Sequence, residues 1–451
     1  MAAYNDAVLS VARRLLAIWN ETLHPQIIDI ILPMHFNLLH QSEVPEKYRS
    51  NFWHLYFDIG WFGVLSGTAV NFLSVYAARL GASGLQIGLL AAMAAIVNLF
   101  LAIPAGRWIE KQTHTGRAVF WSSVVFRVGY VLWIPLPWLF NAQGQIWALI
   151  ILAFLMAIPL TSLGVGFNAL FAEAVPEKFR AHVAGTRNVT FAIAYMLTSL
   201  VAGIILKSLP FETGYQIIFA IGAFGAAMSS YHIYHVRPLQ EEIYSLPTPP
   251  QADSTPRADS PRSIKSVLRL DILGTPFRNV LLALFFFHLS HNLPTAVYPL
   301  YNVRVLNLND NNIGIGTALY YLTVLIGSTQ LRRVAHRYGN KKVTGFGAAG
   351  MALYPFLLAV THNVWQFYVV SFIGGFIFAM INGAFINYML EHVPPDDRPS
   401  HLAWYTIIVN IAILTSSLAA PAIINMVGLV NALIVVGVVR ILAGIAVLKW
   451  G

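Results

Sequence analysis

The stretch FAEAVPEKFRAH at residues 171–182 returns in altered form as MLEHVPPDDRPSH at residues 389–401. Both contain the pattern Glu-x-Val-Pro-x-x-x-Arg. Glu173 aligns with Glu391 and Arg180 aligns with Arg398, at one offset of 218 residues. Each stretch follows a long apolar run, so the repeat marks equivalent points in two related halves of the chain.

The composition indicates a protein surrounded by lipid. Of the 451 residues, 57% are hydrophobic and 10% are charged, whereas soluble domains carry about 25% charged residues. So few charges cannot cover the surface of a water-soluble chain of this length. The sequence therefore predicts an all-α integral membrane protein, because helices satisfy their own backbone hydrogen bonds in lipid.

Twelve apolar windows are long enough to cross a bilayer, which takes about 20 residues each. They lie near 52–78, 86–107, 118–140, 146–168, 189–208, 215–235, 278–302, 313–334, 343–361, 364–388, 402–424 and 429–449. We number them spans 1 to 12.

The longest connection follows span 6 and is rich in Pro, Ser and Thr, which is typical of a flexible linker. The predicted segments are an N-terminal extension at 1–50, a six-helix bundle at 51–236, a linker at 237–277 and a second six-helix bundle at 278–451. In the extension, Val8, Val11, Leu15 and Ile18 recur at helical spacing. This predicts an amphipathic helix, lying either on the membrane or against the cytoplasmic face of the protein.

The positive residues predict the orientation. With the N-terminus in the cytoplasm, 23 of the 28 Lys and Arg residues fall on the cytoplasmic side. The five exceptions are Arg79, Arg127, Lys207, Arg304 and Arg440. The positive-inside rule then predicts a multi-pass protein of the cell (inner) membrane with both termini cytoplasmic. This arrangement accounts for the net charge of +9, so we expect no nucleic-acid partner.

Two further loops resemble each other. The loop after span 2 carries Gly106, Glu110, Lys111, Gly116 and Arg117, and the loop after span 8 carries His336, Arg337 and Gly339. With twelve spans and the repeat, these motifs resemble the major facilitator superfamily. The match is imperfect, since residues 113–115 are an apparent insertion and His336 stands where an acid is usual.

The resemblance implies alternating access, in which two halves rock about a central cavity. It also implies that Glu173, Arg180, Glu391 and Arg398, with the two loop motifs, form a gate of charges at the cytoplasmic ends. Breaking such pairs would bias a two-state equilibrium. The alternative is that these charges only anchor loops at the lipid headgroups.

Ionisable groups inside spans are candidates for function, because each costs about 2.5–3.5 kcal/mol at the bilayer centre on insertion scales. Asp58 in span 1 is either a proton carrier or the partner of a fixed ion pair, with Arg127 of span 3 as the nearest candidate. In the resembling family the third and twelfth spans are peripheral, which favours structural roles for Arg127 and Arg440.

Span 7 contains the richest polar sequence. His288, His291 and Asn292 fall on one helical face, and Tyr298 follows one to two turns later. In the resembling family spans 1, 4, 7 and 10 line the cavity, which adds Asn382 and Asn387 of span 10. Histidine suits proton coupling, whereas two histidines without a carboxylate make a poor metal site. The alternative is a polar face packed against a neighbouring helix.

These patterns predict a secondary transporter for a small solute, driven by protons or by the solute gradient. If the aromatic residues line the cavity, a hydrophobic or amphipathic solute is favoured over a sugar. The chain has no cysteine and no phosphate-binding Gly-Lys-Ser/Thr loop, so we expect no enzyme activity, cofactor or metal. Two alternatives stay open: a non-transporting assembly subunit with other membrane proteins as partners, and a lipid or amphiphile flippase.

Overall fold

The computed structural model describes residues 45–112, 114–239, 269–394 and 397–451. The described residues from Asn51 to Gly451 belong to one compact unit. The predicted amphipathic helix and most of the predicted linker lie outside the described residues. Within the described residues, all regular structure is helical.

The first six spans occupy residues 46–235. Span 1 consists of helix Glu46–Leu65, a π-helical turn at Ser66–Val70 and helix Asn71–Arg79. Spans 2 to 6 are the helices Gly84–Glu110, Thr115–Trp133, Ala142–Ala174, Glu177–Ser208 and Phe211–His235. A single helical turn, Leu136–Leu139, links spans 3 and 4.

The second six spans follow a 3-10 turn at Leu270–Gly274. Span 7 is Phe277–Asn292 with Pro294–Arg304, span 8 is Asp310–Tyr338, span 9 is Asn340–Gly350 with Leu353–Ala359, and span 10 is Val364–Glu391. Spans 11 and 12 both lie within the helical stretch Arg398–Trp450. They are separated at Gly428, whose φ of 77° is a left-handed conformation that favours glycine.

In the described part of the chain, nine helices are long and apolar enough to cross a membrane, and one of these, Ser400–Trp450, contains both spans 11 and 12. The other two spans are Thr115–Trp133, which contains Arg127, and Asp310–Tyr338, which begins with three polar residues. The fold is an all-α membrane protein with two six-helix halves, as predicted.

The halves contact each other through two related pairs of helices. Span 5 packs against span 8, and span 2 packs against span 11. Spans 2 and 8 are equivalent in the repeat, as are spans 5 and 11, so the two contacts are related by the pseudo-symmetry. Gly314 of span 8 lies so close to span 5 that a Cβ would meet the Ser199 carbonyl oxygen at 2.6 Å.

The two ends of the helices differ in charge. We call the end that carries Arg107, Lys111, Arg180 and Arg337 the basic end, and the other the opposite end. Polar bonds join the halves at the opposite end. Arg79 of span 1 lies 2.7 Å from the Asp310 carboxylate of span 8. Arg304 of span 7 donates to the Ala82 carbonyl oxygen at 2.6 Å.

Close packing within the second half provides a direct test of the helix crossings. A Cβ at Gly375 of span 10 would lie 2.1 Å from the Tyr320 carbonyl oxygen and 2.2 Å from Thr323 Oγ1 of span 8. We expect Gly375→Ala to lower the free energy of unfolding by about 1–3 kcal/mol through overpacking. Thermal unfolding in detergent measures this loss.

The matched control is Gly164→Ala in span 4, where a Cβ meets nothing within 4 Å. This change should be neutral or slightly stabilising, because alanine favours a helix. Equal unfolding temperatures for the two variants would contradict the close crossing of spans 8 and 10.

Candidate functional site

Asp58 lies in a buried network of charges in the first half. Its side chain is 4% exposed. Arg187 Nη1 of span 5 lies 3.0 Å from Asp58 Oδ2, and Arg127 Nη2 of span 3 lies 3.9 Å from Asp58 Oδ1. The Ser229 hydroxyl of span 6 donates a further hydrogen bond to the carboxylate. One acid thus connects four spans.

Two serines complete the surroundings of Arg127. Its Nη1 donates to Ser123 Oγ at 2.5 Å and to Ser230 Oγ at 2.8 Å, and the two serines contact each other at 2.8 Å. Arg127 and Arg187 both lie next to this one carboxylate. The geometry therefore favours the fixed ion pair over the proton carrier among the two roles predicted for Asp58.

Arg187 is a residue that the sequence reasoning missed. The charge pattern assigned it to a cytoplasmic loop ending at residue 187, but span 5 begins at Glu177 and runs through it. Its Nη1 also donates to the Leu55 carbonyl oxygen at 2.6 Å, and its guanidinium lies over the Phe167 ring at 4.7 Å. A search for an ionisable residue within ten residues of each span edge would have found it.

The polar residues of span 7 divide into satisfied and unsatisfied groups. His288 Nε2 lies 3.0 Å from the Tyr405 hydroxyl of span 11, and Asn292 donates to the His288 carbonyl oxygen at 2.8 Å. These two therefore fit the packed polar face. By contrast, His291 Nδ1 and the Tyr298 hydroxyl are buried without a hydrogen-bond partner among the described residues. Such orphaned groups are typical of a site for a ligand or water.

An aromatic cluster crosses the boundary between the halves. The rings of Tyr195 in span 5 and Tyr321 in span 8 stack with centroids 4.1 Å apart. The ring centroids of Tyr320 and Phe378 are 5.7 Å apart. Phe378 in turn stacks on His291, with ring centroids 5.7 Å apart. We call these five residues the central aromatic cluster. It connects His291, through Phe378 and Tyr320, to the interface between the halves.

The π-helical turn in span 1 positions one more polar group beside this cluster. Asn71 follows the turn and accepts a hydrogen bond from the Tyr195 hydroxyl at 3.2 Å, while its own Nδ2 is buried without a partner among the described residues. Gly67 allows the close approach, because a Cβ there would meet Thr198 Oγ1 at 2.2 Å. Turns of this type are frequent at functional sites.

A second polar contact between the halves lies in spans 2 and 11. Asn98 Nδ2 donates to Asn410 Oδ1 at 3.4 Å, and Thr161 of span 4 donates to Asn98 Oδ1 at 2.5 Å. The pair of spans 2 and 11 is related by the pseudo-symmetry to the pair of spans 8 and 5, which carries the tyrosine stack. A scan for intramembrane amides in every span would have found Asn98 and Asn410.

A cavity of about 190 Å³ adjoins the central aromatic cluster in the second half. We call it the tyrosine cavity. It is lined by Tyr298, Tyr320, Met351, Tyr354, Gly374, Ile377 and Arg440. It therefore contains one predicted residue, Tyr298, and one arginine that the sequence reasoning assigned to the scaffold.

The other predicted residues lie elsewhere. Asn382 and Asn387 of span 10 are exposed. At the basic end, Glu110, Lys111, Arg117, His336, Arg337, Glu391 and Arg398 are exposed. Gly339 has a φ of 80°, a turn conformation that favours glycine. Gly116 lies near the Val236 carbonyl oxygen, and Gly106 lies near Val165.

Three of the four repeated Glu and Arg residues, Glu173, Glu391 and Arg180, contact groups within their own half. Thr115 donates to Glu173 at 3.2 Å, and Asn340 donates to Glu391 at 2.6 Å. Arg180 Nη2 donates to the Ala172 carbonyl oxygen at 2.8 Å, which caps the end of span 4. These contacts support an anchoring role in this conformation and leave a gating role as a prediction.

An ion pair that the motifs did not predict connects the starts of spans 7 and 11. Arg269 lies 3.0 Å from the Asp397 carboxylate, and Ser400 donates to the same group at 2.6 Å. The Ser400 hydrogen bond and the Arg269 charge hold the pKa of Asp397 below its ordinary value. This contact is therefore present at neutral pH and is lost as the pH falls through that lowered pKa.

Two six-helix halves with polar and aromatic side chains between them are typical of membrane proteins in which a binding site lies between two bundles. The sequence model of the Major Facilitator Superfamily matches residues 59–309 and 280–451. The chain belongs to this superfamily.

Known relatives are distant. A cis,cis-muconate transport protein of Acinetobacter baylyi is 22% identical over 251 residues, which cover 54% of this chain and 57% of that protein. The match thus spans little more than half of that relative. Among solved structures, a D-xylose–proton symporter has a TM-score of 0.65 at 16% identity, covering 89% of this chain and 97% of the other.

The nucleoside transporter NupG has a TM-score of 0.61 at 14% identity, covering 88% of this chain and 98% of the other. At these identities the structural likeness establishes the fold alone.

Proposed function

We propose that this protein is a secondary transporter that moves a small solute across the membrane by alternating access. The observation that carries the proposal is that the halves are bonded at the opposite end, while unsatisfied polar groups lie deeper, at the central aromatic cluster. A site closed on one side, between two bundles that can rock, has the geometry of one state of such a cycle. The muconate, xylose and nucleoside transporters found as relatives support the class.

The proposed orientation puts the basic end in the cytoplasm of a cell with this protein in its inner membrane. The positive-inside rule supports this, because the basic loops are short. In that orientation the conformation described is closed toward the outside. Both termini would then be cytoplasmic.

Proton coupling forms part of the proposal, with His291 as the preferred carrier. Its Nδ1 is buried without a described partner, so a proton can be gained there without breaking a bond within the protein. Asp58, which is held by Arg187 and Ser229, is the weaker candidate. His291 stacks on Phe378 of the central aromatic cluster, so a rearrangement of the cluster would change the surroundings of the histidine.

Transport by purified protein in lipid vesicles tests the proposal. We expect uptake of at least one of cis,cis-muconate, D-xylose or uridine, raised about tenfold by an inward proton gradient and returned to its gradient-free rate by a protonophore. His291→Ala should remove the gradient effect. His362→Ala, an exposed histidine between spans 9 and 10, is the matched control and should leave it intact.

The two alternative functions, a lipid flippase and a non-transporting assembly subunit, predict different results in the same vesicles. A flippase would move a fluorescent phospholipid between leaflets, and an assembly subunit would move neither lipid nor solute. Either result, obtained with folded protein, would replace the proposed function.

A further inference from the structure

We propose that the tyrosine cavity binds the carboxylate of a small planar molecule, with Arg440 as the group that holds it. This inference rests on the proposed function and names the chemical class of its solute. Arg440 lies in span 12, and it is 4% exposed.

Two prolines explain how Arg440 is oriented. Pro294 in span 7 has no N–H to offer the Ser290 carbonyl oxygen. Pro355 in span 9 likewise has no N–H for the Met351 carbonyl oxygen, which accepts from the Tyr354 N–H at 3.3 Å and has room for a second donor. Arg440 Nη1 donates to the Met351 oxygen at 2.8 Å, and its Nε approaches the Ser290 oxygen at 3.5 Å. The guanidinium is therefore held from two sides by carbonyl oxygens. These acceptors carry no charge, so they do not neutralise the guanidinium.

The charge partners of Arg440 differ from those of the other buried arginines. Arg127 and Arg187 share Asp58, and Arg79 pairs with Asp310. Within the described ranges, no Asp or Glu lies within ion-pair distance of Arg440. A buried cation without an acid favours an anion, and a guanidinium binds a carboxylate through two parallel hydrogen bonds.

The residues that line the cavity favour an anion whose remaining part is planar and apolar. The rings of Tyr298 and Tyr354 lie 5.1 Å apart, and the Arg440 guanidinium lies 5.9 Å from the Tyr298 ring centre. Gly374 leaves room for the Tyr354 ring, which a Cβ would meet at 2.2 Å. The volume of about 190 Å³ exceeds the roughly 150 Å³ of a cavity known to hold benzene.

A polar group that lines the cavity is also available to form a hydrogen bond with a ligand. The Tyr298 hydroxyl is buried and makes no hydrogen bond of regular geometry to any described residue. Tyr298 lies beside the Arg440 guanidinium, so its hydroxyl can donate to the second oxygen of a carboxylate. A ligand in the cavity would touch Tyr320, whose neighbour Tyr321 stacks on Tyr195 of the other half. Binding can therefore influence the contact between the halves.

Equilibrium binding of benzoate and of its uncharged analogue benzamide to the purified full-length protein in lipid nanodiscs tests the inference. We expect benzoate to bind about tenfold more tightly than benzamide, because a charge-assisted hydrogen bond adds that much. Arg440→Gln should remove this preference by weakening benzoate alone. Tyr298→Phe should weaken benzoate about fivefold and change thermal stability little, because the hydroxyl makes no hydrogen bond of regular geometry to a described residue.

The matched control is Tyr388→Phe, which removes another buried hydroxyl without a described partner, in span 10 and outside the cavity. It should leave both affinities unchanged. If Arg440→Gln fails to fold because the two carbonyl groups lose their donor, Tyr298→Phe decides. Equal affinities for benzoate and benzamide, or a Tyr298→Phe variant that binds benzoate as the parent does, would overturn the inference.

The inference and the proposed function fail separately. Vesicles that take up D-xylose or uridine, with protein that does not prefer benzoate, would reject the carboxylate site and keep the transporter. Benzoate binding that depends on Arg440, in vesicles that move no solute, would keep the site and reject the transporter.

Discussion

Asp58→Asn is expected to lower the free energy of unfolding by about 3–5 kcal/mol, because the change leaves two buried arginines without their acid. Arg187, 3.0 Å from the carboxylate, loses its ion pair, and Arg127 loses the more distant one. The amide of asparagine can still accept from Ser229 but carries no charge. Thermal unfolding in detergent and the yield of folded protein measure the loss.

A second variant shows whether charge is the cause. Asp58→Asn combined with Arg187→Gln should recover part of the lost stability, since it removes one of the two uncompensated charges. Glu110→Gln, at an exposed acid of the basic end, is the single-site control and should change stability by less than about 0.5 kcal/mol. An Asp58→Asn protein of parental stability that has lost proton-driven uptake would instead identify Asp58 as the proton carrier.

Gly88→Val is expected to open the opposite end of the protein. A Cβ at Gly88 of span 2 would lie 2.2 Å from the Ser417 carbonyl oxygen of span 11, and backbone cannot move aside without separating the halves. In the proposed cycle the bonded opposite end is one state of a two-state equilibrium, so blocking it should shift the population toward the other state. We expect solute uptake to fall sharply because the cycle needs both states.

The shift can be measured by thiol labelling, because the chain contains no cysteine. A cysteine in place of Asn71 lies further from the opposite end than the Arg79–Asp310 pair does. It should react slowly with a membrane-impermeant reagent that is added on the side of the membrane facing the opposite end. Gly88→Val should accelerate that reaction about tenfold. Gly84→Val is the control, because a Cβ there meets Ile424 and Pro421 of the same partner helix at an ordinary 3.5 Å. Unchanged labelling in Gly88→Val would contradict this closure of the opposite end.

The prediction of the fold from the sequence succeeded because hydrophobic length and duplication are local, additive signals. The twelve windows and the Glu-x-Val-Pro-x-x-x-Arg repeat identified the two halves. The windows failed at their edges: span 5 begins at Glu177, about three turns before the predicted start at residue 189. Helices continue beyond the apolar layer, where polar residues are still compatible with helical hydrogen bonding, and so Arg187 was assigned to a loop.

The candidate site was only partly predictable. Asp58, Arg127 and the polar face of span 7 stood out because ionisable groups in lipid are rare. The unsatisfied His291 Nδ1, the satisfied His288 and the pairing of Tyr195 with Tyr321 depend on which side chains meet. Periodicity places residues on one helix face but does not say which neighbouring helix that face contacts.

The sequence by itself determined that this protein is a two-part helical bundle with its basic loops at one end, because each of these properties depends on residues close together in the chain. Only the tertiary structure decided which arginines have an acid. Arg127 and Arg187 meet at Asp58 from separate helices, whereas Arg440 meets the carbonyl groups of Ser290 and Met351, to which Pro294 and Pro355 cannot donate. The physical reason is that a buried charge is governed by its few nearest neighbours, and here those neighbours come from other spans.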